Sequence, residues 1–225
     1  MPSRSPLTER PFEWRPEELR PGPFEAVLPD VFRGPLVTAA GCARFLETLD
    51  RRRAEAPRRA PHTMHEHGVM LAPLGLDGAV EGLLGASAGL GALLAERFAD
   101  VGGGSIDGWH AYLVEYASGL DEELGFHVDD SEVTLNLCLG DTFSGAELVM
   151  MGRRCDLHRQ TPVDPSELLE IDHEPGTVIV HAGRHRHRVD PIVRGRRRNL
   201  IAWLKSSAHR AAGSDGSCAP WCGAP

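Results

Sequence analysis

Two histidines and one aspartate in this chain have the types and spacing to hold a metal ion. In Gly125-Phe126-His127-Val128-Asp129 an imidazole and a carboxylate stand two residues apart, and His187 follows sixty residues after His127. In an extended segment residues i and i+2 project to one side, so His127 and Asp129 share a direction while Val128 turns away. Two neutral imidazoles and one carboxylate can occupy one face of an octahedral ion and leave the opposite face open, a donor set suited to ferrous iron. Ten residues past His187 stands Arg197, a permanent cation able to grip a carboxylate through two parallel hydrogen bonds. His-x-Asp by itself is a weak signal. Its weight comes from the distant residues that answer it.

The elements that must position these residues follow from periodicity. Thr38 is placed as an N-cap, and Ala39 to Ala56 carries Cys42, Phe45, Leu46 and Leu49 at helical spacing until Pro57 ends it. A second helical stretch runs from about Asp77 to Asp100, with Val80, Leu83, Leu84, Leu90, Leu93, Leu94 and Phe98 on its buried side. Its glycines predict a break near the middle. After Gly102-Gly103-Gly104 the period becomes two. Trp109–Ala117 puts Tyr112, Val114 and Tyr116 on one side, and Glu132–Leu139 puts Thr134, Asn136 and Cys138 opposite Val133, Leu135, Leu137 and Leu139. Short strands are expected at Glu147–Met151, Leu168–Glu170, Thr177–His181, Arg186–Pro191 and Asn199–Lys205, with a turn at Val193–Gly195. Such spacing predicts a mainly β (α+β) jelly-roll or barrel. Residues 1–35 hold eight of the 17 prolines and read as an extended arm on the domain surface. One domain is expected over 36–207, with helices in 38–100 and the β core in 105–207, then a tail from 208 to 225.

Composition narrows the partners. A net charge of −8 argues against general nucleic-acid binding, and Arg194-Gly195-Arg196-Arg197-Arg198 is a local exception whose plain reading for Arg194, Arg196 and Arg198 is a solvated basic turn. No stretch approaches the ~20 apolar residues that cross a bilayer, and Met1 to Pro23 shows no apolar signal core, so no membrane partner is expected. Five scattered cysteines are no disulfide framework, and a reducing, cytoplasmic setting is expected. Cys218 and Cys222 read as two thiols on a loose tail, with a weak metal or redox pair as the lesser reading.

Spacing leaves two choices open. His181, His185 and His187 compete as the distal ligand, and on an ideal strand His185 and His187 point the same way. Arg197 shares a face with Asn199, Ile201 and Trp203, whereas Arg196 and Arg198 share the other. Both faces are apolar enough that periodicity does not decide.

The ordered segments His127-Val-Asp129-Asp-Ser-Glu-Val-Thr-Leu-Asn136, Pro175-Gly-Thr-Val-Ile-Val-His181-Ala-Gly183-Arg-His-Arg-His187 and Pro191-Ile-Val-Arg-Gly195-Arg-Arg197-Arg-Asn-Leu resemble the Fe(II)/2-oxoglutarate-dependent dioxygenases of the prolyl 4-hydroxylase-like branch. Within it the chain looks similar to lysyl-hydroxylase-type domains and to 2-oxoglutarate and iron-dependent oxygenase domain-containing proteins. The resemblance covers about 60–207, from Thr63-Met64 onward. It implies a double-stranded β-helix (jelly-roll, cupin-like) core with the N-terminal helices packed outside it. It also implies that His127, Asp129 and His187 are the catalytic Fe(II) ligands, since the distal ligand of the family precedes the cosubstrate arginine by about ten residues. The family's Gly-x-Arg-x-x-Leu pattern falls on Gly195, Arg197 and Leu200, so Arg197 would hold the C5 carboxylate of 2-oxoglutarate. Asn136 is retained on the inner strand, but a tyrosine that some members carry at the Cys138 position is absent, and Tyr112 or Tyr116 is expected to supply that hydroxyl to the cosubstrate. The implied reaction hydroxylates or otherwise oxidises an unactivated C–H bond, with 2-oxoglutarate and O2 going to succinate and CO2 and ascorbate as a reductant. The substrate would be an amino-acid side chain, free, peptidyl or in a natural-product intermediate.

Two other readings stand beside it: a non-catalytic jelly-roll that binds or senses a carboxylate, and a cupin-like metal-dependent hydrolase or isomerase. The ordered His-x-Asp, His and Arg set disfavours both. His65-Glu66-His67 is expected to line the substrate side. Arg153, Arg154 and Arg159 are expected on a solvated loop, and His110, His158, His173 and His209 read as isolated histidines. No zinc-finger spacing is apparent.

Overall fold

Alternation builds the centre of the molecule. In Val133–Gly140 the residues Val133, Leu135, Leu137 and Leu139 face helices, and Thr134 and Asn136 face the interior between two sheets. The computed structural model describes residues 10–55, 65–213 and 217–223.

Strands β1 (Glu25–Leu28) and β2 (Val31–Pro35) form a hairpin, followed by helix α1 (Ala39–Glu55). Thr38 caps α1 as expected, its Oγ1 accepting from Gly41 N–H at 3.1 Å, and Cys42, Phe45, Leu46 and Leu49 are buried. Ala56 and Pro57 lie outside the described residues. After the short strand β3 (Val69–Met70), the second helical stretch divides into α2 (Gly78–Ala86) and α3 (Ala88–Arg97). The break is at Ser87, whose extended backbone ends one helix while its side chain accepts from Leu90 N–H and starts the next.

The remaining strands are β4 (Gly108–Ala117), β5 (Leu124–His127), β6 (Val133–Gly140), β7 (Phe143–Gly145), β8 (Leu148–Arg153), β9 (Leu168–Ile171), β10 (Thr177–Ala182), β11 (His185–Val189) and β12 (Ile192–Lys205), with α4 (Ser207–Ala212) after them. The larger sheet runs β1-β2-β10-β6-β12-β4-β3, with β7 on β12, and the smaller runs β5-β11-β8-β9. One apolar cluster joins the outer face of the larger sheet to α1, α2 and α3. A second, with Tyr112, Val114, Tyr116, Leu148, Met150, Ile179 and Ile201, fills the space between the sheets. This is the expected mainly β jelly-roll with helices outside.

Three expectations need correction. The N-terminal arm does not merely lie on the surface. Phe12 and Trp14 are buried against Phe45, Trp14 Nε1–H donates to Ala79 O at 2.8 Å, and residues 25–35 form the hairpin in the larger sheet. Gly82 admits that indole, because a Cβ there would stand 2.9 Å from Trp14. Val193–Gly195 is not a turn between strands but part of β12. Gly195 has φ +83° and pairs with Phe143 of β7, and the register slips just before it, between Ile192 and Arg194, so a turn-like stretch is an irregularity within a strand. Arg198 is not solvated: it is 4% exposed and reaches Asp50 of α1 at 2.9 Å, while Arg194 and Arg196 stay exposed.

Candidate metal and carboxylate site

Strand pairing brings the two distant histidines together. His127 ends β5 and is the direct cross-strand partner of His187 on β11, so their rings lie 4.1 Å apart between centroids. Asp129 follows just beyond β5, where its N–H donates to Gly183 O at 2.9 Å. Asp129 Oδ1 is 3.8 Å from His127 Nε2 and 3.8 Å from His187 Nε2. All three side chains are buried, and these ligand atoms lie within 4.8 Å of one another.

Each group is oriented by the atom it does not offer. His127 Nδ1–H donates to Gly125 O at 2.8 Å and His187 Nδ1–H to His185 O at 2.9 Å, which leaves both Nε2 lone pairs aimed inward. Thr134 Oγ1–H donates to Asp129 Oδ2 at 2.6 Å, so Oδ1 is the oxygen left for an ion. One cation with bonds of roughly 2.0–2.2 Å could reach all three atoms after a small contraction. Thr134→Val removes the hydroxyl that holds Oδ2 and is expected to weaken ferrous-ion affinity about 10–100-fold, as loss of such outer partners does. Competition titration against a coloured chelator measures it, and unchanged affinity would show that Thr134 does not hold the carboxylate.

His185 does not share the direction of His187. Register against β8 shifts between the two, and His185 turns instead to Asp30 Oδ1 at 3.1 Å and to Gly152 N–H at 3.2 Å. His181 is buried and borders the triad. Its Nε2 lies 3.9 Å from Asp129 Oδ2 and has no hydrogen-bond partner among the described residues.

Burial sets the charge of this centre. It pushes His127 down to about 4, aided by the neighbouring His187, and pushes His187 down to about 4; Asp129 is raised to about 6 by burial against the opposing pull of His127. Imidazoles are therefore neutral and able to ligate near pH 7. His65 is likewise lowered to about 4, and His173 and His181 well below the usual range, in each case first by burial. Groups with depressed folded values bind fewer protons in the native state, so their stability is present above about pH 6.5 and is lost as pH falls toward about 4. Asp129, raised, acts the opposite way between its unfolded value and about 6. Five imidazoles outweigh one carboxylate. Metal-free protein is thus expected to show a lower urea midpoint at about pH 5 than at about pH 7.5; an equal or higher midpoint would contradict neutral burial.

Arg197 faces the same interior and is 1% exposed. Its Nε–H donates to Asn199 Oδ1 at 3.1 Å, Nη2 to His173 Nδ1 at 2.9 Å, and Nη1 to Ala146 O. His173 must be the neutral Nε2–H tautomer, because Nε2 donates to Thr177 O at 3.1 Å. Every acceptor is uncharged, and among the described residues no carboxylate pairs with Arg197. A buried guanidinium without a counter-ion is costly unless something supplies the negative charge.

One cavity is lined by His127, Asp129, His187, Arg197, Asn136, Tyr112 and Tyr116, so all the expected site residues meet there. Asn136 Oδ1 accepts from Asn199 Nδ2 at 2.6 Å, which ties it to the arginine network. Tyr116 OH pairs with His65 Nε2 at 2.8 Å, and Tyr112 stands edge-on to Trp203. Cys138 is buried in β6 and does not line the cavity. His65 lines it, as expected of the 65–67 segment, whereas Thr63 and Met64 lie outside the described residues. Of the loop arginines, Arg159 is exposed, but Arg154 is 1% exposed and paired with Glu167 at 2.6 Å, and Arg153 pairs with Asp100 at 2.8 Å. Thr134, His173 and Asn199 were not singled out from the sequence as parts of this site, and His181 entered only as a competing distal ligand. Asn199 could have been, since strand alternation places it beside Arg197; His173 lies in a loop and gives no such signal.

No family model matches the chain. It is 43% identical over 150 residues to a 2-oxoglutarate and iron-dependent oxygenase domain-containing protein of Arabidopsis thaliana, covering 67% of this chain and 37% of that protein. Against 2-oxoglutarate and iron-dependent oxygenase domain-containing protein 2 of Homo sapiens it is 38% identical over 181 residues, covering 80% of this chain and 50% of that protein. The chain thus spans about half, or less, of the length of these relatives. Among solved structures, a Pseudomonas putida prolyl-4-hydroxylase superposes with TM-score 0.54 at 16% identity, covering 79% of this chain and 92% of that one. EvdO2 from Micromonospora carbonacea, complexed with 2-oxoglutarate, gives TM-score 0.56 at 14% identity, covering 84% and 94%. At such identities these two establish the shared fold.

Proposed function

As a domain this chain belongs with the 2-oxoglutarate and iron-dependent oxygenases, and from that premise we propose that it oxidises an unactivated C–H bond of an amino-acid side chain, free, peptidyl or in a natural-product intermediate. His127, Asp129 and His187 are the residues that would hold Fe(II), and Arg197 would hold the distal carboxylate of 2-oxoglutarate. Bound together, iron, 2-oxoglutarate and O2 supply the oxidising power, with 2-oxoglutarate going to succinate and CO2 and ascorbate keeping the iron reduced.

The chain's own residues provide orientation and exclusion of water. Gly125 O and the His185 carbonyl fix the two imidazoles by their Nδ1–H groups, and Thr134 fixes the carboxylate. Arg197 is held by Asn199, His173 and Ala146 O before any ligand arrives, so little ordering remains to be done on binding. Tyr112, Tyr116, Ile201 and Val189 close the walls and lower the local dielectric, which strengthens the arginine–carboxylate contact. Five unbridged thiols support a reducing, cytoplasmic setting.

One observation carries the reading: a buried guanidinium with only uncharged partners faces the same cavity as a three-ligand metal group. A hydrolase or isomerase has no need of that second feature. The test is succinate formation from 2-oxoglutarate that requires Fe(II) and O2, scored across amino acids, peptides and amino-acid-derived intermediates. Stimulation by one class supports the proposal and identifies the substrate. Tight 2-oxoglutarate binding by iron-loaded protein with no succinate from any class would favour a carboxylate sensor instead.

A further inference from the structure

The tail is not loose. Cys218 and Cys222 are brought against Cys155, which follows β8, and His158, in the single turn Asp156–His158. His158 Nδ1 lies 3.3 Å from Cys155 Sγ, 3.5 Å from Cys218 Sγ and 3.5 Å from Cys222 Sγ. Cys155 Sγ and Cys218 Sγ are 4.0 Å apart, and all four ligand atoms fit within 4.8 Å of one another. This convergence overturns the expectations of a loose tail and of an isolated His158, and it favours the lesser reading of Cys218 and Cys222 as part of a metal or redox site. Two short pairs, Cys-x-x-His and Cys-x-x-x-Cys, lie sixty residues apart in loops, so neither announces the other.

Those distances are the edges of a tetrahedron. A zinc ion with Zn–S near 2.3 Å and Zn–N near 2.0–2.1 Å sets S···N at about 3.5 Å and S···S at about 3.8 Å. A disulfide would need sulfurs at about 2.05 Å, and all five cysteines are unbridged. A hydrogen-bond account also fails, since one ring nitrogen cannot serve three sulfurs at once. A cation at their centre can.

Charge points the same way. Buried Arg154 and Arg186 both reach Glu167, at 2.6 Å and 3.6 Å, and place two cationic groups near Cys222. A zinc ion with three thiolates and one neutral imidazole carries one net negative charge. Cys155 N–H also donates to Cys222 Sγ at 3.4 Å, an arrangement that favours thiolate.

We infer that Cys155, His158, Cys218 and Cys222 form a structural Cys3His zinc site. All four positions come from protein, so it is closed to substrate. It clips the C-terminal segment onto the end of β8, where Gly223 N–H donates to Arg153 O at 3.1 Å and the Trp221 ring lies 4.1 Å from the Arg153 guanidinium. Since β8 pairs with β11, and Arg154 N–H donates to Arg184 O at 3.2 Å, the clip braces the strand that carries His187.

The test uses the full chain, purified under reductant with zinc and then loaded with Co(II). Wild type is expected to hold one tightly bound zinc that survives removal of weakly held metal, and its cobalt form to show a thiolate-to-cobalt band in the near ultraviolet with strong red-region absorption. His127→Ala/His187→Ala should retain both signals, which separates this site from the triad. Cys218→Ser/Cys222→Ser should lose at least tenfold in zinc retention and lose the thiolate band; should it not fold, the wild-type and triad-variant spectra decide. Folded wild type whose cobalt form has no thiolate band, or which carries a Cys218–Cys222 disulfide in reductant and zinc, would overturn the assignment. So would an iron–sulfur chromophore at the site.

Discussion

His187→Ala is expected to abolish tight ferrous-ion binding, whereas His185→Ala leaves it near wild type. Loss of a ligand should cost more than the roughly 10–100-fold that follows loss of an outer hydrogen-bond partner. Mn(II) binding followed by electron paramagnetic resonance reads this without catalysis. His185 contributes differently. Its side chain binds Asp30 and Gly152 N–H, so its loss should cost about 1–3 kcal/mol of stability. Its backbone carbonyl, which any residue supplies, still orients the His187 ring. Metal loss in His185→Ala with retention in His187→Ala would mean the wrong imidazole faces the ion.

Arg197→Leu is expected to weaken 2-oxoglutarate binding by about 2–5 kcal/mol, the range for truncating one partner of a buried charge pair, while metal binding persists. The size follows from the pocket. Arg197 is 1% exposed, and its fixed contacts go to Asn199, His173 and Ala146, none of them charged. Arg197→Lys keeps the charge but loses the fork and should fall between the two. Thermal shifts with Mn(II) and 2-oxoglutarate give the readout. Wild type at about 100-fold over its dissociation constant should gain about 2.7 kcal/mol, and the leucine variant almost nothing at the same concentration. An equal gain in both would place the carboxylate elsewhere.

The sequence made some of this visible and hid the rest for physical reasons. Period-two alternation exposed β4 and β6, and with them the faces of Tyr112, Tyr116, Thr134 and Asn136, because those strands are regular and buried. Thr38 was legible because caps are local chemistry, and a break in the second helical stretch was legible from its glycines, though not the Ser87 cap that makes it. His127 and Asp129 were legible as a pair because two-residue spacing in extended chain needs no tertiary knowledge. Choosing His187 over His185 rested on the family's order of residues and not on periodicity, since an irregularity in β11 cancels the alternation that would have paired them. His173 reaches Arg197 from a loop, and the Cys155, His158, Cys218 and Cys222 cluster joins loop to tail, so both depend on chain folding that no local period encodes. The β1–β2 hairpin was hidden by prolines at its margins, which read as an arm.

The central claim is that one cavity holds a three-ligand metal group and the carboxylate grip of Arg197 for a single chelating 2-oxo acid. Anaerobic titration of the metal-free chain with Fe(II) and then 2-oxoglutarate tests it most directly. A visible charge-transfer band is expected on adding 2-oxoglutarate, absent in His187→Ala and shifted to much higher ligand concentration in Arg197→Leu. Folded, iron-loaded wild type that shows no such band at saturating 2-oxoglutarate would contradict it.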